Sequence, residues 1–463
     1  MTRGLLLAAA LVIGCTKENE TSAVPRGPNI ILISIDTLRA DHLGAYGYAR
    51  DVSPNLDRLA ARGVVFERAI SQAPWTLPSH ASMMASELPS VLGTGTFSSP
   101  RALHPDAPAL AEVLLDAGYR TYAVTGGGYV SSTFGLDQGF ERFEERLSRL
   151  DATKTFGVGT AWLDGLGDQR PFFLFLHTFE VHAYDPPEEI LRELWADGAP
   201  DSALRNKQDL ARFLQTSQNH DAVKEFQPAD WKCAIDLYDG ALMSVDRALG
   251  DFVAGLEERG LLDDTIILVT SDHGEEHGEH GKSGHGYNLH DENMLVPFLI
   301  AGPGIAPGRA AEMVRLLDVA PTLVEAVGVA PPPGWKGVGL GAAMNGDAPA
   351  LTAISEAAHV DLKAVRADGF EYVIDLWQEK EALLQDGVDV TAREPEALAR
   401  LRAAMADHVR SSANDDRFRG GSETELSAEK LAELQELGYT GESGSGTDRT
   451  KAWLELLRKL SSS

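Results

Sequence analysis

Two continuous apolar segments of this chain end in residues of the kind that bind metals. Asn29–Ile35 is followed directly by Asp36, and Thr265–Thr270 is followed after one serine by Asp272 and His273. An apolar run without polar alternation is typical of a strand that is buried on both faces, as in a parallel sheet. In open α/β sheets the functional groups lie at the carboxyl ends of the strands. The sequence therefore predicts an α/β fold in which Asp36, Asp272 and His273 meet at one edge of the sheet.

The rest of the hydrophobic pattern alternates between strands and helices, as an α/β chain requires. Further strands are predicted at Val64–Ala69, Arg120–Val124, Phe172–Leu176 and Val296–Ala301. Helices are predicted from Pro54 to a stop at Gly63, at Ala109–Ala117 and at Asp230–Leu256. Near the C-terminus the pattern predicts a hairpin at Ala364–Leu376 around Asp368 and Gly369, helices at Pro395–Val409, Ser427–Leu437 and Thr450–Leu460, and a flexible linker at Gly441–Thr447.

The stretch from Pro74 to Ser86 carries a candidate nucleophile. Pro74 and Pro78 restrict the backbone on either side of Thr76, and Ser79 is the predicted N-cap of a helix over His80–Ala85. Because a helix N-terminus presents free N–H groups and partial positive charge, an anion bound there would lie against the Thr76 hydroxyl. The alternative is an ordinary proline-rich turn before a helix.

A glycine- and histidine-rich loop follows the second apolar segment. Of the 13 histidines in the chain, five lie between His273 and His290. Imidazoles and carboxylates in this density, directly after a buried strand, favour metal-ligand chemistry. A solvated polar loop is the alternative.

The composition and net charge of the chain limit the kinds of molecule that it is expected to bind. The chain has 463 residues, 43% of them hydrophobic and 24% charged, which is ordinary for a soluble globular protein. Its net charge of -28 argues against nucleic acid or an anionic membrane surface as the main partner, because both require basic patches. A small anionic substrate remains compatible, since local groups determine its site.

The N-terminus indicates a lipid anchor. Leu5–Ile13 is a short apolar segment after Arg3, and it leads to Cys15 through a pattern that resembles a bacterial lipobox. We interpret residues 1–14 as a lipoprotein signal peptide, Cys15 as the lipidation site and residues 15–27 as a tether; a secretory peptide cut elsewhere is the alternative. Thr16 resembles the outer-membrane sorting pattern, so the expected location is the bacterial cell envelope, at the outer membrane or facing the periplasm. Cys233 is then left without a disulfide partner and is expected in the core.

Six motifs, in order, resemble the sulfatase family of the alkaline phosphatase superfamily. They are Asn29–Tyr48, Ser53–Asp57, Thr76–His80, Phe134–Phe140, Ser271–Glu275 and Asp318–Thr322. The resemblance implies an α/β/α sandwich with a mixed, mainly parallel sheet and a small C-terminal α+β subdomain. The expected boundaries are 28–345 for the catalytic domain, 346–412 for the subdomain and 413–463 for a helical, flexible tail.

The resemblance also implies roles for individual residues. Asp36, Asp272 and His273 match metal ligands, with Thr76 as the fourth, and this donor set favours Zn or Mn, with Ca possible. His182 and His80 are expected in catalysis, and Lys282 and His285 are expected to contact the substrate. Two further expectations concern neighbouring residues. Glu180 with His285 or His290 could hold a second metal, and His177 is expected to be structural.

Some positions depart from the family pattern. Thr76 and His80 stand where the family has its formylglycine precursor and an arginine, Thr37 replaces an aspartate, and Gly126–Tyr129 replaces a Gly-Lys-x-His segment. Threonine nucleophiles resemble those of nucleotide pyrophosphatases and lipoteichoic acid synthases. The expected function is hydrolysis of sulfate or phosphate/phosphonate esters, with the phosphorus esters favoured. The alternatives are a phosphotransferase acting on envelope glycans or lipids, and an inactive binding lipoprotein.

Overall fold

The computed structural model describes residues 27–145, 151–165, 170–216, 226–347, 349–415, 417–418, 426–437 and 450–461. The expected signal peptide, Cys15, nearly all of the tether and the linker at 441–447 lie outside these residues. Within the described ranges, no helix combines the length and the apolar character needed to cross a bilayer.

Nine strands form the central sheet, and nine shorter or peripheral strands form three further sheets. In chain order the strands are β1 (Asn29–Ile35), β2 (Val64–Ile70), β3 (Gly95–Thr96), β4 (Ser99–Pro100), β5 (Arg120–Val124), β6 (Arg142–Glu144), β7 (Phe172–Thr178), β8 (Thr265–Thr270), β9 (Glu276–His277), β10 (Ser283–Gly284), β11 (Leu295–Val296), β12 (Phe298–Ala301), β13 (Gly308–Arg315), β14 (Ala353–Ala357), β15 (Leu362–Ala367), β16 (Phe370–Asp375), β17 (Lys380–Gln385) and β18 (Val388–Asp389). The counts refer to the described part of the chain.

The central sheet is mixed and mainly parallel, as predicted. Its strand order is β11-β2-β12-β8-β1-β7-β5-β6, and β13 pairs with β2. The strands β8, β1, β7, β5 and β6 are parallel to one another, whereas β12 runs antiparallel to both β8 and β2. The strand predicted over Val296–Ala301 is divided into β11 and β12 by Pro297, which has no N–H to donate to a ladder.

Helices cover both faces of this sheet. In chain order the α-helices are α1 (Pro54–Ala60), α2 (Thr76–Ala85), α3 (Pro89–Leu92), α4 (Leu110–Asp116), α5 (Ala152–Asp164), α6 (Glu188–Leu194), α7 (Lys207–Thr216), α8 (Pro228–Glu258), α9 (Asp291–Met294), α10 (Val319–Ala326), α11 (Gly341–Met344), α12 (Pro395–Ala413), α13 (Ala428–Glu436) and α14 (Thr450–Ser461).

Strand β1 shows how the two layers are built. Ile30 and Leu32 belong to a core that includes residues of α2, α4 and α10, whereas Ile31, Ile33 and Ile35 belong to a second core with α1, α5 and α8. Successive side chains of a strand point to opposite faces, so an unbroken apolar run supplies both cores. This arrangement confirms the α/β/α sandwich. Cys233, on α8, is fully buried in the second core, as expected.

A five-stranded antiparallel sheet, β14 to β18, follows the central sheet. It shares a separate apolar core with α12 and α14, to which Tyr372, Leu401 and Trp453 contribute. The predicted hairpin is present: β15 and β16 are joined by Asp368 and Gly369, both with positive φ, as a two-residue hairpin turn requires.

Candidate active site

The predicted metal ligands converge at the carboxyl ends of the two central strands. Asp36 follows β1, and Asp272 and His273 follow β8, to which β1 is paired along its length. All three side chains are fully buried, and one ligand atom from each lies within 4.8 Å of the others. Thr76 completes the cluster, since its Oγ1 lies 3.4 Å from both Asp36 Oδ2 and His273 Nε2.

Helix α2 begins earlier than predicted. Thr76 is its first residue and Trp75 is the N-cap position, so the prediction that Ser79 caps a helix from His80 is wrong. Pro78 lies in the first turn, where the backbone N–H has no partner within the helix, so the helix can include it at no cost in hydrogen bonds. The Ser79 hydroxyl instead donates to the carbonyl oxygen of Asp272 at 2.6 Å, which helps to hold this metal-ligand candidate in place.

The cluster has the properties expected of a divalent metal site. Asp36 Oδ1 and Asp272 Oδ2 are buried and lack a hydrogen-bond partner among the described residues. Buried carboxylate oxygens without partners are costly unless a cation binds them. Two carboxylates, one imidazole and one hydroxyl form a donor set that such an ion accepts. The residues present are therefore compatible with a divalent metal ion.

Burial and the surrounding charges shift the pKa values of Asp36 and Asp272 in opposite directions. Burial raises the pKa of Asp36 well above its ordinary value, and the neighbouring Asp272 raises it further. Burial alone would also raise the pKa of Asp272, but the imidazoles of His273 and His80 hold it below its usual range. The surroundings therefore favour the ionised form of Asp272 and the neutral form of Asp36.

His80 lies beneath the cluster rather than facing a substrate. A carbonyl oxygen can only accept, so His80 Nδ1 donates to Thr76 O at 2.9 Å, and its Nε2 accepts from the Ser34 hydroxyl at 3.0 Å. Its Nδ1 is also 3.4 Å from Asp272 Oδ2. Burial lowers the pKa of His80, so the ring is neutral at pH 7. These contacts join His80 to Thr76 and to Asp272, and its expected role in catalysis stays a prediction.

His177, expected to be structural, also contacts the cluster. The backbone N–H of Gly126 donates to His177 Nδ1 at 3.3 Å, which leaves Nε2 as the protonated nitrogen, and this atom lies 3.4 Å from Asp36 Oδ2. Its position at the end of β7, beside β1, was the sequence signal for this contact.

A second group of titratable side chains lies next to His273. The His285 ring is 4.4 Å from the His273 ring and 5.1 Å from the His182 ring, measured between centroids. Glu275 Oε2 lies 3.3 Å from His285 Nδ1, and burial raises the pKa of Glu275 to about 7. His182 and His285 are thus close enough to the cluster to meet a bound substrate. Glu275 was not assigned a role, although it directly follows Asp272, His273 and a glycine in the sequence.

Two predicted residues lie apart from the cluster. Lys282 is half-buried and directly precedes β10, and within the described residues no contact joins it to the metal-ligand candidates. Glu180 Oε2 accepts from the backbone N–H of Ala152, at the start of α5, at 2.7 Å.

The expected second metal on Glu180 is not supported, because Glu180 belongs to neither group of potential metal ligands in the described part of the chain. His285 pairs with Glu275, and His290 pairs with Glu276 at 3.0 Å. Glu180 satisfies N–H groups at a helix N-terminus instead, where a carboxylate is favourable.

The C-terminal tail packs closely against the last two of the three glycines at 126–128. The backbone N–H of Gly128 donates to Glu433 Oε1, on α13, at 2.6 Å, and Leu437 is buried against the same core. A Cβ on Gly128 would lie 2.6 Å from Leu437 Cδ1 and 3.1 Å from Phe179, and the residue has a φ of +56°. The tail, for which the sequence predicted no function, thus packs against Gly128. Two residues earlier, the N–H of Gly126 donates to His177, which contacts the cluster.

The fold and the site together define the class of protein. A mainly parallel sheet between two helical layers, with carboxylates, a histidine and a helix-terminal hydroxyl at its carboxyl edge, is the arrangement of alkaline phosphatase-like ester hydrolases. The sulfatase family model matches residues 28–329. The chain therefore belongs to the sulfatase family.

Individual known proteins are also similar to this chain in sequence or in structure. Arylsulfatase A of Homo sapiens is 29% identical over 350 residues, which cover 70% of this chain and 67% of the human protein. A 2-O GAG sulfatase superposes with a TM-score of 0.68 at 19% identity, covering 84% of this chain and 94% of that one. The phosphonate monoester hydrolase of Agrobacterium radiobacter superposes with a TM-score of 0.66 at 21% identity, covering 83% and 95% of the two chains. At these identities the two structures establish the fold.

Proposed function

We propose that this protein hydrolyses sulfate, phosphate or phosphonate esters of small molecules or glycans with Thr76 as the nucleophile. The observation that carries the proposal is the position of Thr76 Oγ1, 3.4 Å from both Asp36 Oδ2 and His273 Nε2 at the start of α2. A divalent cation held by Asp36, Asp272 and His273, with Zn or Mn favoured, would lower the pKa of the Thr76 hydroxyl and neutralise charge in the transition state. The N-terminus of α2 would hold the anionic group of the substrate.

The reaction proceeds in two displacements. Thr76 Oγ1 gives up its proton and attacks the phosphorus or sulfur atom, and the bond to the ester oxygen breaks. Burial lowers the pKa of His182 to about 3 and of His285 to about 4, so a neutral ring can accept the Thr76 proton and pass it to the leaving alcohol. Water then attacks the same atom, the bond to Thr76 Oγ1 breaks, a proton of the water returns to Thr76 Oγ1, and the free anion is released. An acceptor alcohol in place of water would make the second step a transfer.

Threonine chemistry favours phosphorus esters over sulfate esters. A sulfothreonine would be a stable alkyl sulfate, and threonine lacks the hydrate through which formylglycine expels sulfate by re-forming an aldehyde. A phosphothreonine can be cleaved by in-line attack of water while the surrounding groups stabilise the developing charge.

A substrate panel with Thr76 variants tests the proposal. Aryl sulfate, phosphate monoester, phosphodiester and phosphonate monoester substrates are each assayed with Zn, Mn and Ca, in wild type, Thr76→Ala and Thr160→Ala. Thr160 is the matched control, because its hydroxyl bonds only within α5, to Phe156 O at 2.9 Å. Thr76→Ala should lose essentially all turnover, Thr160→Ala should retain it, and mass spectrometry of quenched wild type should find the transferred group on the Thr76 peptide.

Other outcomes would contradict the mechanism. Full activity in Thr76→Ala, or efficient multiple turnover of an aryl sulfate by protein with unmodified Thr76, would exclude Thr76 as the covalent nucleophile. Tight metal binding without turnover of any ester class would favour the binding lipoprotein instead.

We also propose that lipid on Cys15 anchors the enzyme to a membrane of the bacterial envelope. The proposal rests on the lipobox-like sequence before Cys15, and the 14 residues from Cys15 to the start of β1 could extend by at most about 50 Å. Several acyl chains hold a protein firmly to a bilayer, whereas one chain binds only marginally. Cys15→Ser should move the protein to the soluble fraction or leave it unprocessed, while Cys233→Ser should fractionate like the wild type. Identical fractionation and migration of Cys15→Ser and wild type would refute the anchor.

A further inference from the structure

A second group of metal-ligating side chains lies in the loop between β8 and β11. Glu276, His280, His290 and Glu292 each offer one ligand atom, and these four atoms all lie within 4.8 Å of one another. The group shares no residue with the proposed catalytic cluster. We propose that these four side chains form a second, structural site for a divalent transition-metal ion, with Zn²⁺ as the best match.

The geometry of the four side chains suits a tetrahedral ion. His290 Nδ1 lies 3.0 Å from Glu276 Oε1, and His280 Nε2 lies 3.1 Å from Glu292 Oε2. The ligand atoms of a tetrahedral zinc ion are about 3.4 Å apart, given bonds of about 2.1 Å. The two imidazole rings, 3.8 Å apart between centroids, bring both carboxylate–imidazole pairs to one place. Small side-chain movements would therefore complete the coordination.

Glu276 is held in position before an ion binds. Its side chain is buried, and Asn288 Nδ2 donates to Glu276 Oε2 at 2.6 Å, so Oε1 is directed at His290. Asn288 Oδ1 in turn accepts from the backbone N–H of His290 at 3.0 Å and from Asn293 Nδ2 at 2.9 Å. Hydrogen bonds that orient the groups around a ligand are characteristic of protein metal sites.

Charge and access also fit a divalent cation. Two carboxylates and two neutral imidazoles balance the charge of one such ion, and imidazole with carboxylate ligands suits zinc better than calcium or magnesium. The side chains of His280 and His290 are 44% and 42% exposed, which leaves a path for the ion from solvent.

The position of this site indicates what the ion would do. Glu276 and His280 lie at one end of the loop, and His290 and Glu292 lie at the other, with His285 between them. Glu276 also directly follows Glu275, which contacts His285. An ion bound by both ends would cross-link the loop and fix the segment that holds His285 beside the catalytic cluster.

Zinc counting on the full chain tests the inference. Wild type, His290→Gln and His104→Gln are stripped with a chelator and reloaded with Zn²⁺, and zinc per chain is measured by inductively coupled plasma mass spectrometry and calorimetric titration. His104 is the matched control, because it also pairs with a carboxylate near the surface, Asp106, but outside the loop. His290→Gln should bind one zinc ion fewer per chain than wild type, or bind it about 100-fold more weakly or worse, and His104→Gln should match wild type.

Further variants separate the two proposed sites. Asp272→Ala alone should still bind zinc through the loop, and adding His290→Gln to it should remove that zinc. Equal zinc content in wild type and His290→Gln would overturn the proposal, as would a zinc-free Asp272→Ala protein that is folded. If His290→Gln does not fold, Glu292→Gln, whose side chain lies at the partly exposed rim, is subject to the same criteria.

Discussion

Asp36→Asn should stabilise the metal-free protein and abolish the stabilisation that an ion at the Asp36, Asp272 and His273 cluster provides. Asp36 is fully buried, its Oδ1 has no hydrogen-bond partner among the described residues, and the neighbouring Asp272 raises its pKa further. Replacing buried charged groups by uncharged groups of similar volume is often neutral or stabilising by about 1–4 kcal/mol, and an uncompensated charge such as this one favours a gain. The asparagine amide would also supply a donor towards Asp272. We therefore expect a gain in this range in chelator.

Metal should reverse this advantage. A ligand at 100 times its dissociation constant stabilises the native state by about 2.7 kcal/mol, and at 1,000 times by about 4.1 kcal/mol. The variant has lost one charged ligand, so it should gain almost none of the stabilisation that the ion at the Asp36 cluster supplies, while any stabilisation from zinc in the loop is common to both proteins. The difference in unfolding free energy between the two proteins should then shift by about 3–4 kcal/mol in favour of the wild type when metal is added.

The pH dependence has a defined sign. The folded pKa of Asp36 lies above its ordinary value of 3.8, so the folded metal-free state binds the proton more tightly than the unfolded state does. This contribution to stability is present at low pH and is lost as pH rises through the folded pKa. The advantage of Asp36→Asn in chelator should accordingly grow as pH rises and shrink in acid.

Urea denaturation in chelator and in saturating Zn or Mn measures these effects. Asp251→Asn, at an exposed position on α8, is the control and should differ from wild type by less than about 0.5 kcal/mol in both conditions. A metal-free Asp36→Asn protein that is less stable than wild type would refute the electrostatic reasoning. Equal metal-induced stabilisation of the two proteins would show that Asp36 is not a ligand.

Two further predictions concern parts of the fold outside the site. Glu356→Gln removes a buried carboxylate that pairs with both Lys363 and His408 and should cost about 3–5 kcal/mol, whereas Glu67→Gln, in an exposed pair, should cost less than about 1 kcal/mol by urea denaturation. Because its neighbours lower the pKa of Glu356, its stabilisation should be lost as pH falls below the usual carboxyl range. Gly128→Ala would place a Cβ 2.6 Å from a buried leucine of the tail, so hydrogen exchange of α13 should rise while that of the central strands does not.

Much of the central architecture could be predicted because it depends on local pattern. The unbroken apolar runs of β1 and β8 specify strands with two buried faces, and parallel pairing brings their carboxyl ends together. That rule placed Asp36, Asp272 and His273 in one cluster, and the structure confirms their proximity. The hairpin at Asp368 was equally predictable, because two-residue turns demand positive φ and thus particular residues.

The remaining features depend on contacts between distant segments. Helix α2 begins at Thr76 in a buried environment that the sequence alone does not show. The sequence predicts Ser79 as an N-cap, whereas in the structure its hydroxyl donates to the carbonyl oxygen of Asp272. The role of Glu180 at the start of α5 and the contact of Glu433 with Gly128 join residues 28 and 305 positions apart. The local hydrophobic pattern of a sequence gives no information about contacts between residues this far apart.

Two residues that depart from the family pattern, His80 and Thr37, change the charge of the candidate active site. Where the family has an arginine, His80 is buried and neutral, with both ring nitrogens used by Thr76 O and Ser34. Where the family has a further aspartate, Thr37 adds no charge. Relative to that pattern the site has one positive and one negative group fewer. Under the function we propose, the two carboxylates would balance one divalent ion, and that ion and the N-terminus of α2 would compensate the charge of the substrate. The proposed enzyme should then depend on its metal for binding the substrate anion as well as for activating Thr76.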